Sequence, residues 1–452
     1  MNRMVRAHLG ERLRPLHSDL VGKVLANCSA RGLAMIGLAL STVVVARAGG
    51  PSAVGAYALL RMLPGLVGVL CVLGLPSALA YFLAEHRRTE RLWQTLFALL
   101  AGGALAGSLL WLIASPVLAR TFFPDDSSAM IAAAGLTVGT QLFLTVGKNT
   151  LQGLQDNRGG DVVIAAEELA FLPCYAVPLL LGMQGTAALI VGLVLADLVV
   201  AVEAWRRVSR HLGWRRLGLA RGVDGWWGGP DRRLARSIAS YGLRGQVGGF
   251  MTLLNLRLDF AILGAIAGPA VLGTYAVASK YAELLRLPGT AITWVSYPRL
   301  AATTAGDAAR HARRLLPPTF AGVVLAAVPL AVFSGPVMHL LYGDGFEPAI
   351  GQARVLLAGM LLGGASGVAS GYLYGRGRPG LNSLAMGLGL VVTIVLDLLL
   401  IPGHGAMGAA VASTVAYLVS DFVLIGLLLR LSGRPPTSQT AGAPAATAEM
   451  SP

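Results

Sequence analysis

Residues 50–58 of this chain read GPSAVGAYA, and residues 268–276, which begin 218 positions later, read GPAVLGTYA. Three further pairs of short motifs recur in the same order, 220 to 222 residues apart. They are SPV at 115–117 with GPV at 335–337, LQG at 151–153 with LYG at 373–375, and GTAA at 185–188 with GAMG at 405–408. The chain therefore contains two versions of one unit, each about half of its length.

The composition places both units in a membrane. Of the 452 residues, 55% are hydrophobic and 13% are charged, which is too apolar for a soluble protein. Apolar stretches of about 20 residues recur along the whole length, and each predicts a membrane-spanning helix. We predict an all-α integral membrane protein with about twelve spans. The predicted spans are 23–46, 54–83, 92–114, 129–150, 162–183, 186–205, 237–266, 269–298, 317–340, 350–374, 381–401 and 406–429.

These spans divide the chain into two lobes of six helices. We expect an amino-terminal lobe over 1–205, a basic cytoplasmic connector over 206–236, a carboxy-terminal lobe over 237–431 and a disordered cytoplasmic tail over 432–452. Internal duplication of a membrane unit is typical of transporters, because a pathway between two similar halves can open alternately to either side.

The basic residues predict the orientation. Of the 36 lysines and arginines, 25 lie in the amino-terminal stretch, the connector, the tail and alternate loops, whereas the opposite loops hold only Arg47 and Arg120. This asymmetry predicts that both termini and the connector are cytoplasmic. The net charge of +14 is then a topology signal with some attraction to anionic membrane lipids, and no nucleic-acid partner is expected. Arginine outnumbers lysine 33 to 3, which favours a GC-rich bacterial source and the bacterial cytoplasmic membrane.

Charged residues inside the predicted spans are the candidate binding site. One charge near the bilayer centre costs about 2.5–3.5 kcal/mol, so such residues should face a polar interior or one another. The candidates are Arg31, Arg61, Arg257, Asp259, Lys280, Glu283 and Arg286. With Arg244 included, cations outnumber anions six to two, which predicts an anionic ligand. Arginine favours phosphate through its two-pronged geometry. The alternative is that these residues form internal salt bridges that fix helix packing.

Local patterns refine this picture. Lys280, Glu283 and Arg286 are three residues apart and should share one helix face, with Glu283 between two cations. Pro64 and Pro288 occupy similar places in the second span of each half and predict kinks.

Other intramembrane acids have two readings. The residues are Glu167, Glu168, Asp197, Asp397 and Asp421. They could be proton or sodium sites, but roles as helix-end residues or polar contacts are favoured. The three cysteines lie in apolar runs without metal-ligand spacing, and no catalytic motif is present. The sequence therefore predicts no metal, no cofactor and no enzyme activity.

A family resemblance rests on several motifs together. They are Gly-x-Tyr-Ala after a Gly-Pro turn at 55–58 and 273–276, Arg257-Leu258-Asp259 ahead of the second turn, and Pro288 with Tyr297-Pro298 at the end of the eighth span. With twelve spans in two halves, the chain resembles the Wzx-type polysaccharide flippases, which move O-antigen and other lipid-linked oligosaccharides. These belong to the multidrug/oligosaccharidyl-lipid/polysaccharide exporter superfamily. The resemblance implies two lobes that form a V around a cavity lined by spans 1, 2, 7 and 8. Related lipid II flippases usually carry two additional spans, which this sequence lacks.

The resemblance also implies a function. An alternating-access flippase would move an undecaprenyl-diphosphate-linked oligosaccharide from the inner to the outer leaflet for cell-surface polysaccharide synthesis. It would act as a monomer, alongside a glycan polymerase and glycosyltransferases. The alternatives are a cation-coupled multidrug exporter, which should favour acidic cavity residues, a lipid II flippase, and a membrane-embedded glycan polymerase or ligase, which needs a sizeable external loop. The sugar stays open, as does coupling to Na⁺, H⁺ or the membrane potential.

Overall fold

The computed structural model describes residues 2–72, 74–85, 90–212, 231–286 and 303–432, and within these ranges the regular elements are all helical. The helices are α1 (Asn2–Cys71), α2 (Leu75–Glu85), α3 (Glu90–Phe122), α4 (Ser128–Ala133), α5 (Leu136–Gly153), α6 (Asn157–Leu169), α7 (Phe171–Leu180), α8 (Gly185–Leu212), α9 (Arg232–Glu283), α10 (Ala305–Leu341), a 3₁₀ turn (Asp344–Phe346), α11 (Glu347–Gly359), α12 (Gly363–Gly375) and α13 (Pro379–Ser432). Most of the connector, the tail, Pro288 and Tyr297-Pro298 lie outside the described residues.

Eight helices in the described ranges are long and apolar enough to cross a membrane, and α11 with α12, bent by 41°, form a ninth. The chain is therefore a multi-pass membrane protein. Three of the eight contain a glycine break, at Gly50 in α1, Gly268 in α9 and Gly405 in α13. Dividing these helices at their glycines turns nine segments into twelve, which is how the predicted spans map onto the structure. The count of twelve spans stays a prediction.

The repeated motifs mark these breaks. Gly50 and Gly268 are equivalent in the two repeats, and their φ angles are +68° and +81°. Gly185 and Gly405 form a second equivalent pair, with φ angles of +62° and +53°. Only glycine adopts this left-handed region without a steric penalty, so the repeat preserves the residue that each break requires. Within α1 the non-helical backbone angles lie at Gly50, and the kink at Pro64 stays a prediction.

The two GP motifs also pack against each other. A Cβ atom on Gly55 would overlap the carbonyl oxygen of Pro269, and a Cβ atom on Gly273 would overlap the carbonyl oxygen of Pro51. The contact is reciprocal, because each motif offers its proline carbonyl to the glycine of the other. Glycine at both positions lets the backbone of α1 approach that of α9 this closely.

Close to this contact, Arg47 caps the end of α10. Its Nε donates to the carbonyl of Leu341 at 2.9 Å, and its Nη2 donates to that of Leu340 at 2.5 Å. A cation at a helix carboxyl terminus is favoured by the helix dipole and satisfies carbonyls that have no intrahelical donor.

The described residues form two compact units, and the boundaries of these units differ from those of the predicted lobes. The first contains Met1–Lys280, Gly335–Gln352 and Leu396–Ala409. The second contains Tyr281–Ser334, Ala353–Val395 and Ala410–Pro452. Large side chains such as Trp93, Trp111 and Tyr275 fill the interior of the first unit. A smaller cluster fills the second, where Ala308 and Ala312 of α10 pack with Tyr372 of α12 and Leu428 of α13. The predicted lobes stay a prediction.

The turn between α5 and α6 is fixed by Asp156. Its Oδ1 accepts from the amide of Gly159 at 2.8 Å, which caps α6, and its Oδ2 lies 2.7 Å from Nε2 of His211 at the end of α8. Burial alone would raise the pKa of the Asp156 carboxyl, but the bonds from Gly159 and His211 outweigh it and hold this pKa below its ordinary value. The pair ties the carboxyl end of α8 to the start of α6.

Candidate functional site

A half-buried ion pair joins α1 to α6. The guanidinium of Arg61 donates from Nη1 to Oε2 of Glu168 at 2.7 Å and from Nη2 to Oε1 at 2.8 Å. The Arg61 side chain is 26% exposed and that of Glu168 is 18% exposed, so solvent screens the pair only in part. This two-pronged arrangement is the strongest geometry available to an arginine and a carboxylate.

The tyrosine of each repeated motif holds a charged side chain. The hydroxyl of Tyr57 accepts from Nη1 of Arg61 at 3.1 Å. The hydroxyl of the equivalent Tyr275 donates to Oδ2 of Asp259 at 2.6 Å. Buried tyrosine hydroxyls need such partners, so the repeated tyrosine fixes an arginine in one half and an aspartate in the other.

A cavity of about 190 Å³ opens beside the ion pair, within the first compact unit. Its charged lining residues are Arg61, Glu168, Arg257 and Lys280, so three cations face one carboxylate. The ring of Phe260 also lines it and lies 5.3 Å from the Arg257 guanidinium, in cation–π contact. Within the described residues, no carboxylate forms an ion pair with Arg257. The cavity therefore offers an arginine that no carboxylate of the described residues neutralises.

Two further cavities share lining residues with it, one polar and one mainly apolar. A cavity of about 100 Å³ shares Arg61 and is lined by Glu167 and Asp197. A third cavity, of about 240 Å³, shares both Arg61 and Arg257 but is otherwise lined mainly by apolar residues of α1, from Met62 to Val69. The two arginines thus stand between a charged space and an apolar one.

The structure brings three of the seven predicted site residues into one cavity, namely Arg61, Arg257 and Lys280. Asp259 is 4% exposed and bonds to Tyr275, outside the cavity lining. Arg31 is exposed, and its Nε donates to Asn27, whose amide in turn donates to Asp161.

The helix that carries the predicted stripe of Lys280, Glu283 and Arg286 ends within the stripe. α9 ends at Glu283, and Leu284 and Leu285 form a turn in which amides bond to carbonyls three residues earlier. Arg286 follows this turn and is exposed. Residues three apart also share a face in a turn of this kind, so the shared face stays a prediction. The side chain of Arg244 lies outside the described ones.

Sequence reasoning missed the partner of Arg61. The sequence predicts for Glu168, as for four other acids, either an ion site or a polar contact, and it does not indicate Arg61 as the partner. Its neighbour Glu167 pairs with Lys148 at 2.5 Å, and Asp197 accepts from Thr140 at 3.0 Å. The buried carboxylate of Asp397 accepts no hydrogen bond from the described residues. An available signal was the acidic doublet itself, because an acid deep in an apolar span needs a base on a neighbouring span.

This fold is shared with membrane transporters. The chain is similar to a structure titled lipid II flippase MurJ, inward closed conformation, with a TM-score of 0.73, 12% identity, and coverage of 91% of this chain and 90% of that one. It is also similar to an inward-facing multidrug resistance MATE family transporter of the MOP superfamily, with a TM-score of 0.68, 15% identity, and coverage of 89% and 94%. At these identities the likeness shows the fold alone. The fold class predicted from the sequence, an all-α membrane protein with the fold of these transporters, is confirmed.

The family follows from the sequence match. Residues 44–351 match the family described as polysaccharide biosynthesis protein, and the chain belongs to that family. It is 22% identical over 195 residues to the probable low-salt glycan biosynthesis flippase Agl15 of Haloferax volcanii, covering 42% of this chain and 41% of the relative. It is also 22% identical over 206 residues to the uncharacterized membrane protein MJ1068 of Methanocaldococcus jannaschii, covering 44% and 41%. The chain thus matches less than half the length of each relative.

Proposed function

We propose that this protein is a flippase that moves an undecaprenyl-diphosphate-linked oligosaccharide from the inner to the outer leaflet of a bacterial cytoplasmic membrane. Family membership, the similarity to a probable glycan flippase and the transporter fold support this class of activity. The observation that carries the substrate chemistry is the cavity in which Arg61, Arg257 and Lys280 face a single carboxylate.

The cavity size and its neighbour favour an amphiphilic anion. Pockets for small molecules typically measure about 300–1,000 Å³, so a cavity of about 190 Å³ suits a charged group rather than a whole oligosaccharide. The adjoining apolar cavity shares Arg61 and Arg257. A diphosphate that continues into a prenyl chain has this combination of properties. The protein carries out transport and no covalent step, and its partners are the lipid-linked glycan, membrane lipids and the enzymes that build and polymerise the glycan.

A pair of substitutions at Arg257 tests the proposal. Arg257→Ala should reduce glycan export at least tenfold, which corresponds to losing about 1.4 kcal/mol of substrate binding. Arg257→Lys should restore export only in part, because an ammonium cannot form two parallel hydrogen bonds with phosphate. The measurement is the leaflet distribution of lipid-linked sugar in a strain that lacks the gene and carries each variant.

The control is Arg310→Ala, on the exposed part of α10, which should export normally. Unchanged export by Arg257→Ala at equal protein level would contradict the proposed role of the cavity. A strain lacking the gene that retains normal leaflet distribution but gains sensitivity to cationic drugs would instead indicate a multidrug exporter.

A further inference from the structure

Glu168 occupies the place that a phosphate of the substrate would take on Arg61. Its two oxygens lie 2.7 Å and 2.8 Å from the two terminal nitrogens of the guanidinium, the same two-pronged geometry by which arginine holds phosphate. Both side chains line the cationic cavity, which also holds Arg257. In the described structure, the protein itself supplies the anion for one of its cavity arginines.

The backbone at Glu168 is held by close packing against α1. A Cβ atom on Gly37 would lie 3.2 Å from the carbonyl carbon of Glu168, and the hydroxyl of Ser41 donates to the carbonyl oxygen of Glu168 at 3.4 Å. α6 ends one residue later, at Leu169. These contacts fix the main chain and leave the carboxylate to be held by Arg61, so the side chain can leave the arginine without unfolding α6.

Exchange of anions avoids an energetic barrier. An arginine left without an anion in a low-dielectric cavity is strongly disfavoured, because its charge is then only partly solvated and has no counter-ion. If a phosphate replaces Glu168 as it arrives, Arg61 keeps an anionic partner throughout. The phosphate also gains Arg257, which has no carboxylate partner among the described residues, and the released Glu168 shares the cavity with Lys280.

We propose that Glu168 is a resident counter-ion, a positioning residue that holds Arg61 and competes with the phosphate group of the substrate. This inference rests on the proposed function and extends it to substrate release. A competing carboxylate weakens binding of the diphosphate, and its return to Arg61 helps to expel the substrate after transport. Removal of its charge should therefore raise affinity and slow turnover.

The test compares two adjacent carboxylates. Purified wild-type protein, Glu168→Gln and Glu167→Gln are titrated with farnesyl diphosphate in detergent. The matched control removes the same charge from the same helix, but Glu167 pairs with Lys148 and does not line the cationic cavity. Glu168→Gln should bind about tenfold more tightly than wild type, and Glu167→Gln should bind like wild type. Glu168→Gln should at the same time export less glycan in cells.

The outcomes separate the two proposals. If wild-type protein does not bind farnesyl diphosphate, the proposed function fails. If wild type binds but Glu168→Gln binds no more tightly than Glu167→Gln, the counter-ion role is wrong and the proposed function stands. Should Glu168→Gln fail to fold, Glu168→Asp serves instead. Its shorter carboxylate cannot reach both nitrogens in the same geometry, so it should also bind farnesyl diphosphate more tightly than wild type, and equal or weaker binding overturns the proposal.

Discussion

At the scale of single residues, charge compensation distinguishes the arginines of the cavity. Arg61 is neutralised by Glu168, and its guanidinium is further held by the hydroxyl of Tyr57. Arg257 contacts the face of Phe260 and has no carboxylate partner in the described part of the chain. The two arginines of one cavity therefore have different roles. Arg61 is part of a structural ion pair, whereas Arg257 is available to a ligand.

This difference predicts unequal effects on stability. Arg61→Ala should destabilise the protein by about 1–3 kcal/mol, between the values for exposed and buried pairs, because it leaves the Glu168 carboxylate without its partner. The double variant Arg61→Ala with Glu168→Gln should be more stable than Arg61→Ala alone. Thermal unfolding of the purified protein in detergent measures both.

A useful comparison is Arg310→Ala, since Arg310 pairs with Asp307 where the two side chains are 73% and 53% exposed. That substitution should shift the unfolding temperature little. Equal destabilisation by Arg61→Ala and Arg257→Ala would show that the pair with Glu168 contributes nothing particular to the fold.

At the scale of helices, the repeated motif explains how α1 meets α9. Gly50 and Gly268 break these two helices, and after each break the proline carbonyl meets the glycine of the other motif. In lipid, helices associate through such close backbone approach because there is no hydrophobic force between them. Arg47, bound to the end of α10, lies beside this contact and adds a polar tie to it.

Alanine substitutions at these glycines test the contact. Gly55→Ala and Gly273→Ala should each destabilise the protein by about 1–3 kcal/mol, since the new methyl group would overlap backbone that cannot rotate away. Gly102→Ala and Gly322→Ala are matched controls, because a Cβ atom at either position meets nothing within 4 Å. Yield and unfolding temperature in detergent give the measurement, and normal behaviour of the Gly55 and Gly273 variants would mean that the motifs do not pack as described.

At the scale of the whole molecule, much of the fold could be predicted from pattern alone. Apolar stretches were enough to predict an all-α membrane protein, because lipid admits few other structures. Arg61 and Lys280 follow the repeated turn, and Arg257 precedes it, by similar numbers of residues. This spacing explains why the three share a cavity. Arg61 and Glu168 are 107 positions apart in the sequence. This pair could not be predicted, because residue spacing within one helix does not show which face of another helix packs against it. No residue pattern indicated that α9 ends at Glu283, and the shared face of Lys280, Glu283 and Arg286 stays a prediction.

The orientation of the molecule is the remaining prediction at this scale. Basic residues near the ends of spans stay on the cytoplasmic side, and 25 of 36 lie in one set of loops and ends against two in the other. A reporter that is active only in the cytoplasm should therefore function when fused after Gly213 or Ser438, and one that is active only outside should function when fused after Asp125. Moving two arginines into the loop that contains Asp125 is expected to lower the external signal there, because the asymmetry would shrink. An external signal at Gly213 or Ser438 would reverse the assignment of loops, place Arg47 and its contact with α10 on the cytoplasmic side, and require the flippase to release its substrate at the opposite end of the cavity.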